Sequence, residues 1–355
     1  MAKYTRKVLV GNVPMGGGSP VVVQSMTNTK TTDVAATLNQ IERLQEAGCQ
    51  IVRLAIPNAE AIKGFREIKK KTTLPLVADI HFNYKLALLA MEAGADKIRI
   101  NPGNIGSKER VKEIVKMANK YKVPIRVGVN SGSLEKDILQ EEGGPTAEAL
   151  VKSALRNIDL CRDLGAELLV LSLKSSDVVK TIQAYKSVAQ KTDVPLHLGV
   201  TEAGTIRAGT IKSAVAMGTL LYDDIGDTIR VSLTSDPVDE VIVAYEILKC
   251  LNLRDKGIEL ISCPTCGRIE VDLIAITNEV ESRLAHINKS LKVAIMGCEV
   301  NGPGEAKDAD IGVACGKKSA LLFKRGKIIR KIPENQIVDV LIEEIENWPN
   351  STGEQ

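Results

Sequence analysis

Aromatic residues, cysteines and long apolar runs are all scarce in this 355-residue sequence, and each scarcity argues against a class of protein. Phe, Trp and Tyr make up 3% of the chain, and 47 basic residues nearly balance 44 acidic ones, for a net charge of +3. With no basic run and few rings to stack on bases, nucleic-acid binding has little support. No apolar stretch reaches the roughly 18 residues of a membrane helix, and the first residues lack the apolar core of a signal peptide. We therefore expect a soluble, cytoplasmic protein.

The cysteines indicate reduced thiols. Seven are few for a disulfide scaffold in a chain of this length, so metal binding is expected where they cluster. Cys49, Cys161 and Cys250 stand alone, and we interpret them as small buried hydrophobic residues.

Eight short segments rich in branched aliphatic residues alternate with amphipathic ones. The strand candidates begin at Val21, Ile51, Leu76, Lys97, Ile125, Leu168, Leu196 and Thr228. Helical segments such as LNQIERLQEAG and YKLALLAMEAG end in a glycine that suits a C-terminal cap. Eight strand–helix units predict an α/β fold with an N-terminal TIM (β/α)8 barrel over residues 1–255, preceded by a hairpin that closes its bottom. The pattern changes after that, and residues 256–355 are predicted to form a small α+β domain.

Polar residues recur at the ends of seven of these strands. In a parallel barrel every second side chain points inward, and the C-terminal ends of the strands form the active-site face. The residues at matching parity are Arg53, Asp79, His81, Arg99, Asn101, Arg126, Asn130, Ser172, Lys174, Glu202, Arg230 and Ser232. Outward charges would be buried against the surrounding helices, which is unfavourable unless they are paired, so inward positions at the mouth are favoured.

The charges of this inward set are unbalanced, because five cations face only Asp79 and Glu202. The cations are Arg53, Arg99, Arg126, Lys174 and Arg230. Forked guanidinium donors suit phosphate oxygens, so we predict a small phosphorylated or diphosphorylated substrate. Asn101 and Asn130 can orient its hydroxyl groups, and Glu202 suits a charge stabiliser or proton relay. His81 is either a packed hydrogen-bonding residue or a substrate contact, and its place at a strand end favours the second.

A second constellation lies in the predicted small domain. Cys263 and Cys266 form a CxxC turn, and Cys298 follows at the end of an apolar segment. Three thiolates favour an iron-sulfur cluster with one iron open to substrate, and Glu305 is a labile oxygen ligand suited to that iron. Structural zinc, with Cys315 as the fourth ligand, remains the alternative from spacing alone.

Several motifs in the chain resemble one family, 4-hydroxy-3-methylbut-2-enyl diphosphate synthase. They are CPTCGR at Cys263, GCEVNGPGEA at Cys298, LGVTEAG at Glu202, IRVSLT at Arg230, VQSMTNT at Gln24, ADIHFNY at His81 and IRINPGNIG at Arg99. The resemblance covers essentially the whole chain, whose length matches the compact two-domain bacterial form.

The resemblance implies reductive ring opening of 2-C-methyl-D-erythritol 2,4-cyclodiphosphate, in non-mevalonate isoprenoid synthesis. It implies a 4Fe-4S cluster held by Cys263, Cys266, Cys298 and Glu305, with the barrel cations binding the diphosphate. It also implies ferredoxin or flavodoxin as the electron donor, and a homodimer in which the cluster domain of one subunit closes on the partner barrel.

Two other functions remain open from the residues themselves. One is a non-redox TIM-barrel lyase or aldolase with a structural zinc domain, in which Lys174 would form a Schiff base. The other is a nucleic-acid-binding module with a zinc ribbon, which the near-neutral charge disfavours.

Overall fold

A computed structural model describes residues 4–254, 257–284, 287, 289–298 and 308–349. The chain divides into two compact units, residues 1–254 and 255–355, which are considered separately here. No helix within the described part of the chain is both long and apolar enough to span a membrane.

The first unit is built on eight parallel strands. They are β3 (Val22–Met26), β4 (Ile51–Ala55), β5 (Leu76–Asp79), β6 (Lys97–Ile100), β7 (Ile125–Asn130), β8 (Leu169–Lys174), β9 (His197–Leu198) and β10 (Thr228–Ile229). Their order in the sheet is β8-β7-β6-β5-β4-β3-β10-β9, and a parallel bridge between Leu171 and Leu196 brings the two ends of the sheet together. The predicted TIM barrel is confirmed.

Helices follow the strands and cover the outside of the barrel. They are α1 (Val34–Glu46), α2 (Ala59–Lys69), α3 (Tyr84–Glu92), α4 (Pro102–Ile105), α5 (Lys108–Tyr121), α6 (Lys136–Glu141), α7 (Ala147–Asp163), α8 (Val178–Lys191), α9 (Ile206–Tyr222) and α10 (Pro237–Cys250). Asp33, Asn58 and Thr146 cap helix N-termini by accepting a backbone N–H. Gly48 and Gly94 follow α1 and α3 with φ of 95° and 93°, a backbone conformation that favours glycine.

The bottom of the barrel is closed by the predicted hairpin, made of β1 (Val8–Val10) and β2 (Val13–Met15). Val8, Val10 and Met15 pack against the inward side chains at the starts of the barrel strands. Each of these three side chains is at most 3% exposed, and burying one stabilises the fold by about 1.5–3 kcal/mol. The hairpin therefore closes the bottom of the barrel with apolar side chains.

The second unit is a mixed five-stranded sheet covered by two helices. Its elements are β11 (Ile258–Ser262), α11 (Leu273–Leu284), β12 (Leu291–Met296), β13 (Ile311–Gly316), β14 (Ser319–Lys324), β15 (Lys327–Pro333) and α12 (Ile337–Glu346). The first three strands are parallel and the last two antiparallel, in sequence order. Parallel pairing brings the C-terminal ends of β11 and β12 to the same edge of the sheet, and a predicted metal-binding cysteine follows each end.

Candidate functional site

The barrel mouth contains most of the predicted polar residues, but they differ in exposure. Those that are buried are Arg53, Asp79, Arg99, Asn101, Arg126, Ser172 and Lys174; Asn130, Arg230 and Ser232 are half-buried, and His81 and Glu202 are exposed. Of the predicted residues, the buried ones therefore include four cations and a single carboxylate, Asp79.

Asp79 is the centre of an ionic network at the end of β5. Its oxygens lie 3.3 Å from Arg99 Nη1, 3.9 Å from Arg53 Nε and 3.4 Å from His81 Nε2. Burial opposes ionisation of Asp79, but the charge of Arg53, the hydrogen bond from His81 and the charges of Arg99 and Arg126 overcome it. They hold the pKa of this carboxyl well below its usual range. Asp79 is therefore an ionised anchor for its neighbours.

Among the residues that the structure describes, no carboxylate forms a comparable ion pair with Arg126 or Lys174. Arg126 is 1% exposed, and its Nε and Nη1 have no hydrogen-bond partner among the described residues. Burial and the neighbouring cations lower the pKa of both side chains well below their usual values. Buried charges are normally paired, so this part of the mouth fits an anionic ligand.

Arg230 is paired by a residue that the sequence analysis did not identify. Its Nη2 donates to Glu240 Oε1 at 3.0 Å, and its Nη1 donates to Ser232 Oγ at 2.6 Å. Glu240 is buried on α10 and also accepts from Leu233 N–H and Ser25 Oγ, each at 3.0 Å. Glu240 lies on a helix, outside the strand alternation that predicted the inward charges. The Asp236-Pro237 start of a helix directly after strand eight was the signal that its first turns lie beside the mouth.

The inside of the barrel contains two more buried polar side chains that the sequence analysis did not identify. Lys97 is 0% exposed, bonds Gln24 Oε1 at 3.1 Å and shares the inward parity of Arg99, so the strand alternation did contain this signal. His197 on β9 is also fully buried, and both ring nitrogens lack a hydrogen-bond partner in the described part of the chain. Burial, followed by the charges of Arg126, Lys174, Lys97 and Arg53, lowers the pKa of His197 well below its usual value.

The predicted register of strand seven is wrong. Leu198 and Val200 pack in hydrophobic clusters with the surrounding helices, so His197 rather than Leu198 has the inward parity. Glu202, which was placed inward by that register, lies beyond the short strand in a turn with φ of 51°. A non-glycine residue in this region carries strain, and such residues concentrate at functional sites.

Two other sequence interpretations change in the structure. The Asn101 side chain is engaged by protein groups: Oδ1 accepts from Gly103 N–H at 3.1 Å in its own loop, and Nδ2 donates to Ser133 Oγ, after β7, at 3.2 Å. Cys250 is exposed at the end of α10, so the prediction that it is buried is wrong, whereas Cys49 and Cys161 are buried as predicted.

In the second unit, Cys263 and Cys298 follow the neighbouring strands β11 and β12. Cys263 Sγ accepts the Gly297 N–H at 3.2 Å, which links the two cysteine loops. Cys298 is buried, Cys263 is half-buried and Cys266 is exposed. The Arg268 N–H and side chain lower the pKa of the Cys266 thiol, and charges on Cys266, Cys298 and Cys263 all act on the Arg268 guanidinium. These loops suit thiolate ligands.

The structure gives less information about a fourth metal ligand beside these three cysteines. The described residues contain no group of three His, Cys, Asp or Glu side chains placed to hold a metal ion, and Glu305 lies outside them, within residues 299–307. Burial raises the pKa of Cys315 to about 12, which disfavours the thiolate needed for a four-cysteine zinc site.

The depressed pKa of Lys174 gives an expected pH dependence. Desolvation comes first among its causes, and the charges that act on it, from Arg53, Arg126, Arg230 and Arg99, are all positive. A bound anion favours the charged form of Lys174 and so raises its pKa. Above the pKa that Lys174 has in the free protein, binding of inorganic pyrophosphate should therefore be accompanied by uptake of a proton. The affinity for pyrophosphate should fall as pH rises.

Titration calorimetry in two buffers of different ionisation enthalpy measures this uptake. Lys174→Met should lose most of it, and Lys63→Met, which changes an exposed lysine on α2, should retain it. Equal heats in both buffers for the unmodified protein would contradict the prediction.

Comparisons with known proteins agree with the geometry. The GcpE TIM-barrel domain matches residues 5–245, and the GcpE protein C-terminal domain matches residues 259–347. A relative from Geobacter sulfurreducens, 4-hydroxy-3-methylbut-2-en-1-yl diphosphate synthase (flavodoxin), is 57% identical over 98% of both chains. A relative of the same name from Caldanaerobacter subterraneus subsp. tengcongensis is 56% identical over the same shares.

Among solved structures, dihydropteroate synthase from Stenotrophomonas maltophilia matches with a TM-score of 0.52 and 14% identity. The match covers 70% of this chain and 98% of that one. At this identity the likeness supports the barrel fold alone. The two domain matches and the near-full-length relatives show that the chain belongs to the GcpE family of 4-hydroxy-3-methylbut-2-en-1-yl diphosphate synthases.

Proposed function

We propose that this chain reduces 2-C-methyl-D-erythritol 2,4-cyclodiphosphate to 4-hydroxy-3-methylbut-2-enyl diphosphate and water, with flavodoxin as the electron donor. The proposal rests on the buried cations at the barrel mouth, whose positive charge exceeds that of the carboxylates beside them. The chain that contains them matches this family over residues 5–245 and 259–347. The flavodoxin-named relatives favour that donor over ferredoxin. They also leave the Schiff-base lyase without support.

The test is turnover by anaerobically prepared protein given reduced flavodoxin and the cyclic diphosphate. Mass spectrometry should detect the linear product, and its formation should depend on both components. If the substrate were consumed without any reductant, the redox function would be wrong.

Cys263, Cys266 and Cys298, with Glu305, would hold a 4Fe-4S cluster. When bound, the cluster supplies single electrons and a Lewis-acidic iron for breaking the substrate C–O bond. The thiol set fits this group, because Cys263 Sγ already accepts a backbone N–H and Cys266 has a lowered pKa. Substrate binding and orientation would then depend on the barrel side chains.

The barrel cations would bind and orient the diphosphate. Arg126 and Lys174 have donors that no described carboxylate satisfies, whereas Asp79 anchors Arg53 and Arg99 and Glu240 anchors Arg230. Bidentate guanidinium contacts fix the orientation of a phosphate as well as attracting it. The anchored arginines would therefore set the substrate pose, and the unanchored pair would supply most of the charge compensation.

Glu202 would stabilise or protonate the group that leaves from the ring. Its exposed side chain and strained backbone conformation suit a residue that meets substrate directly. We expect Glu202→Gln to lower kcat by about 100-fold or more, the usual size of a general acid–base contribution, with little change in KM. Steady-state assays with flavodoxin measure this, and Glu202→Asp should recover part of the rate. Normal turnover by the glutamine variant would remove Glu202 from the chemistry.

We also propose a homodimer in which the cluster unit of one subunit acts on the partner's barrel. Ile211, Val215 and Tyr222 form an apolar stripe on α9 and are 58%, 51% and 80% exposed, as an unpartnered interface would be. Mixing the inactive Cys298→Ala and Arg126→Met proteins should restore activity, because one mixed pairing has both parts intact. Val215→Glu should abolish this restoration and give monomers in sedimentation, whereas Tyr121→Glu on α5 should not. No restoration from stable mixed dimers would contradict the trans arrangement.

A further inference from the structure

Gly128 occupies an inward position on β7 directly beside the guanidinium of Arg99. A Cβ atom at this position would lie 2.7 Å from Arg99 Nε, 3.2 Å from Nη2 and 3.4 Å from Cζ. Contacts as short as the first are not tolerated, so any side chain at position 128 would displace the guanidinium. Arg99 is in register with Arg126 on the neighbouring strand, and Gly128 follows two residues later. The Arg99 side chain therefore leans across β7 toward the mouth.

The two ends of this guanidinium have different surroundings. Nη1 donates to Asp79 Oδ1 at 3.3 Å on β5, on one side of β6. Nε, on the Gly128 side, is buried and has no hydrogen-bond partner within the described ranges. Asp79 thus fixes the Nη1 end of the guanidinium. The absence of a side chain at position 128 leaves space for the Nε end, whose N–H has no partner among the described residues.

The same arrangement recurs two strands further along the sheet. A Cβ on Gly199, the residue directly after β9, would lie 3.0 Å from Lys174 Nζ and 3.4 Å from Lys174 Cε. In both cases a cation leans over a glycine in or directly after the neighbouring strand. Gly199 also lies against backbone, because its Cβ would be 2.7 Å from the Arg230 carbonyl oxygen. The three atoms nearest to a Cβ at Gly128 all belong to the end of the flexible Arg99 side chain, so Gly128 is the better position for a test.

We propose that Gly128 is a positioning residue for the anionic substrate: its lack of a side chain sets the Arg99 guanidinium and keeps Nε available to a phosphate oxygen. This inference rests on the proposed function, because it assumes that the mouth binds a diphosphate. Gly128 acts through Arg99 and makes no contact of its own with the reacting atoms.

Titration calorimetry of the full chain with inorganic pyrophosphate tests this proposal. Gly128→Ala should weaken binding by about 10-fold, the size of one charge-assisted hydrogen bond, and Arg99→Ala by at least as much. The double variant should bind no more weakly than Arg99→Ala alone, because Gly128 acts only through that side chain. Gly132→Ala is the matched control, since a Cβ there meets no described atom within 4 Å. In turnover, Gly128→Ala should raise KM and leave kcat nearly unchanged.

The possible failures are distinguishable. Unchanged pyrophosphate binding by Arg99→Ala would contradict the anion site and with it the proposed function. Weak binding by Arg99→Ala but normal binding by Gly128→Ala would overturn only the role of Gly128. A further loss when Gly128→Ala is added to Arg99→Ala would show that the glycine acts by another route, which also overturns the proposal.

Discussion

Cys298→Ala is expected to lose both its iron and its activity. Cys298 is buried directly after β12, beside the loop that carries Cys263, and it is one of only three thiolates proposed to hold the cluster. The unaltered protein, prepared without oxygen, should contain about four iron and four sulfide per chain, as a 4Fe-4S cluster requires. Metal and acid-labile sulfide analysis, with a visible spectrum, measures the loss in the variant.

Cys315→Ala is the control for this experiment. Cys315 is fully buried with a pKa raised to about 12, so its removal should leave the cluster in place. Stoichiometric zinc in the unaltered protein, or zinc lost on replacing Cys315, would instead support the four-cysteine zinc site. The experiment therefore separates the two metal sites that the cysteine spacing left open.

Arg126→Met should make the free protein more stable and at the same time nearly abolish diphosphate binding. Arg126 is 1% exposed with two unpartnered donor atoms among the described residues, so in the absence of ligand it is a buried, poorly compensated charge. Replacing such a charge with an apolar side chain of similar size stabilises by about 1–4 kcal/mol, or about 2–4 °C in Tm for each kcal/mol. Two lost charged hydrogen bonds of about 1.5 kcal/mol each should weaken pyrophosphate binding by about 100-fold or more.

Arg230→Met is the matched comparison, because Arg230 belongs to the same mouth but has its own carboxylate. Its removal leaves Glu240 buried without a cation, and breaking a buried pair in this way destabilises by about 3–5 kcal/mol. Thermal unfolding should therefore move in opposite directions for the two variants, while both weaken binding. A lower Tm for Arg126→Met would show that Arg126 is already compensated in the free protein.

The family, the barrel and most of the inward polar residues were predictable from local patterns. Strand alternation has a period of two that is visible in the sequence, which is why Arg53, Asp79, Arg99, Arg126 and Lys174 could be placed at the mouth. The same alternation places Lys97 inward, although Lys97 was not among the predicted residues. It failed for strand seven, where β9 is only two residues long and the chain leaves the strand before Glu202.

The sequence by itself determined the fold class, the cysteine motif and the excess of cations, since each depends on residue type and spacing along the chain. Only the tertiary structure decided how those cations are used. Asp79 anchors Arg53 and Arg99, Glu240 bonds Arg230 from a helix, and Arg126 keeps two donors without a partner among the described residues. These pairings join residues on different strands and helices, so they depend on how the barrel closes and where each element ends, which no local pattern contains.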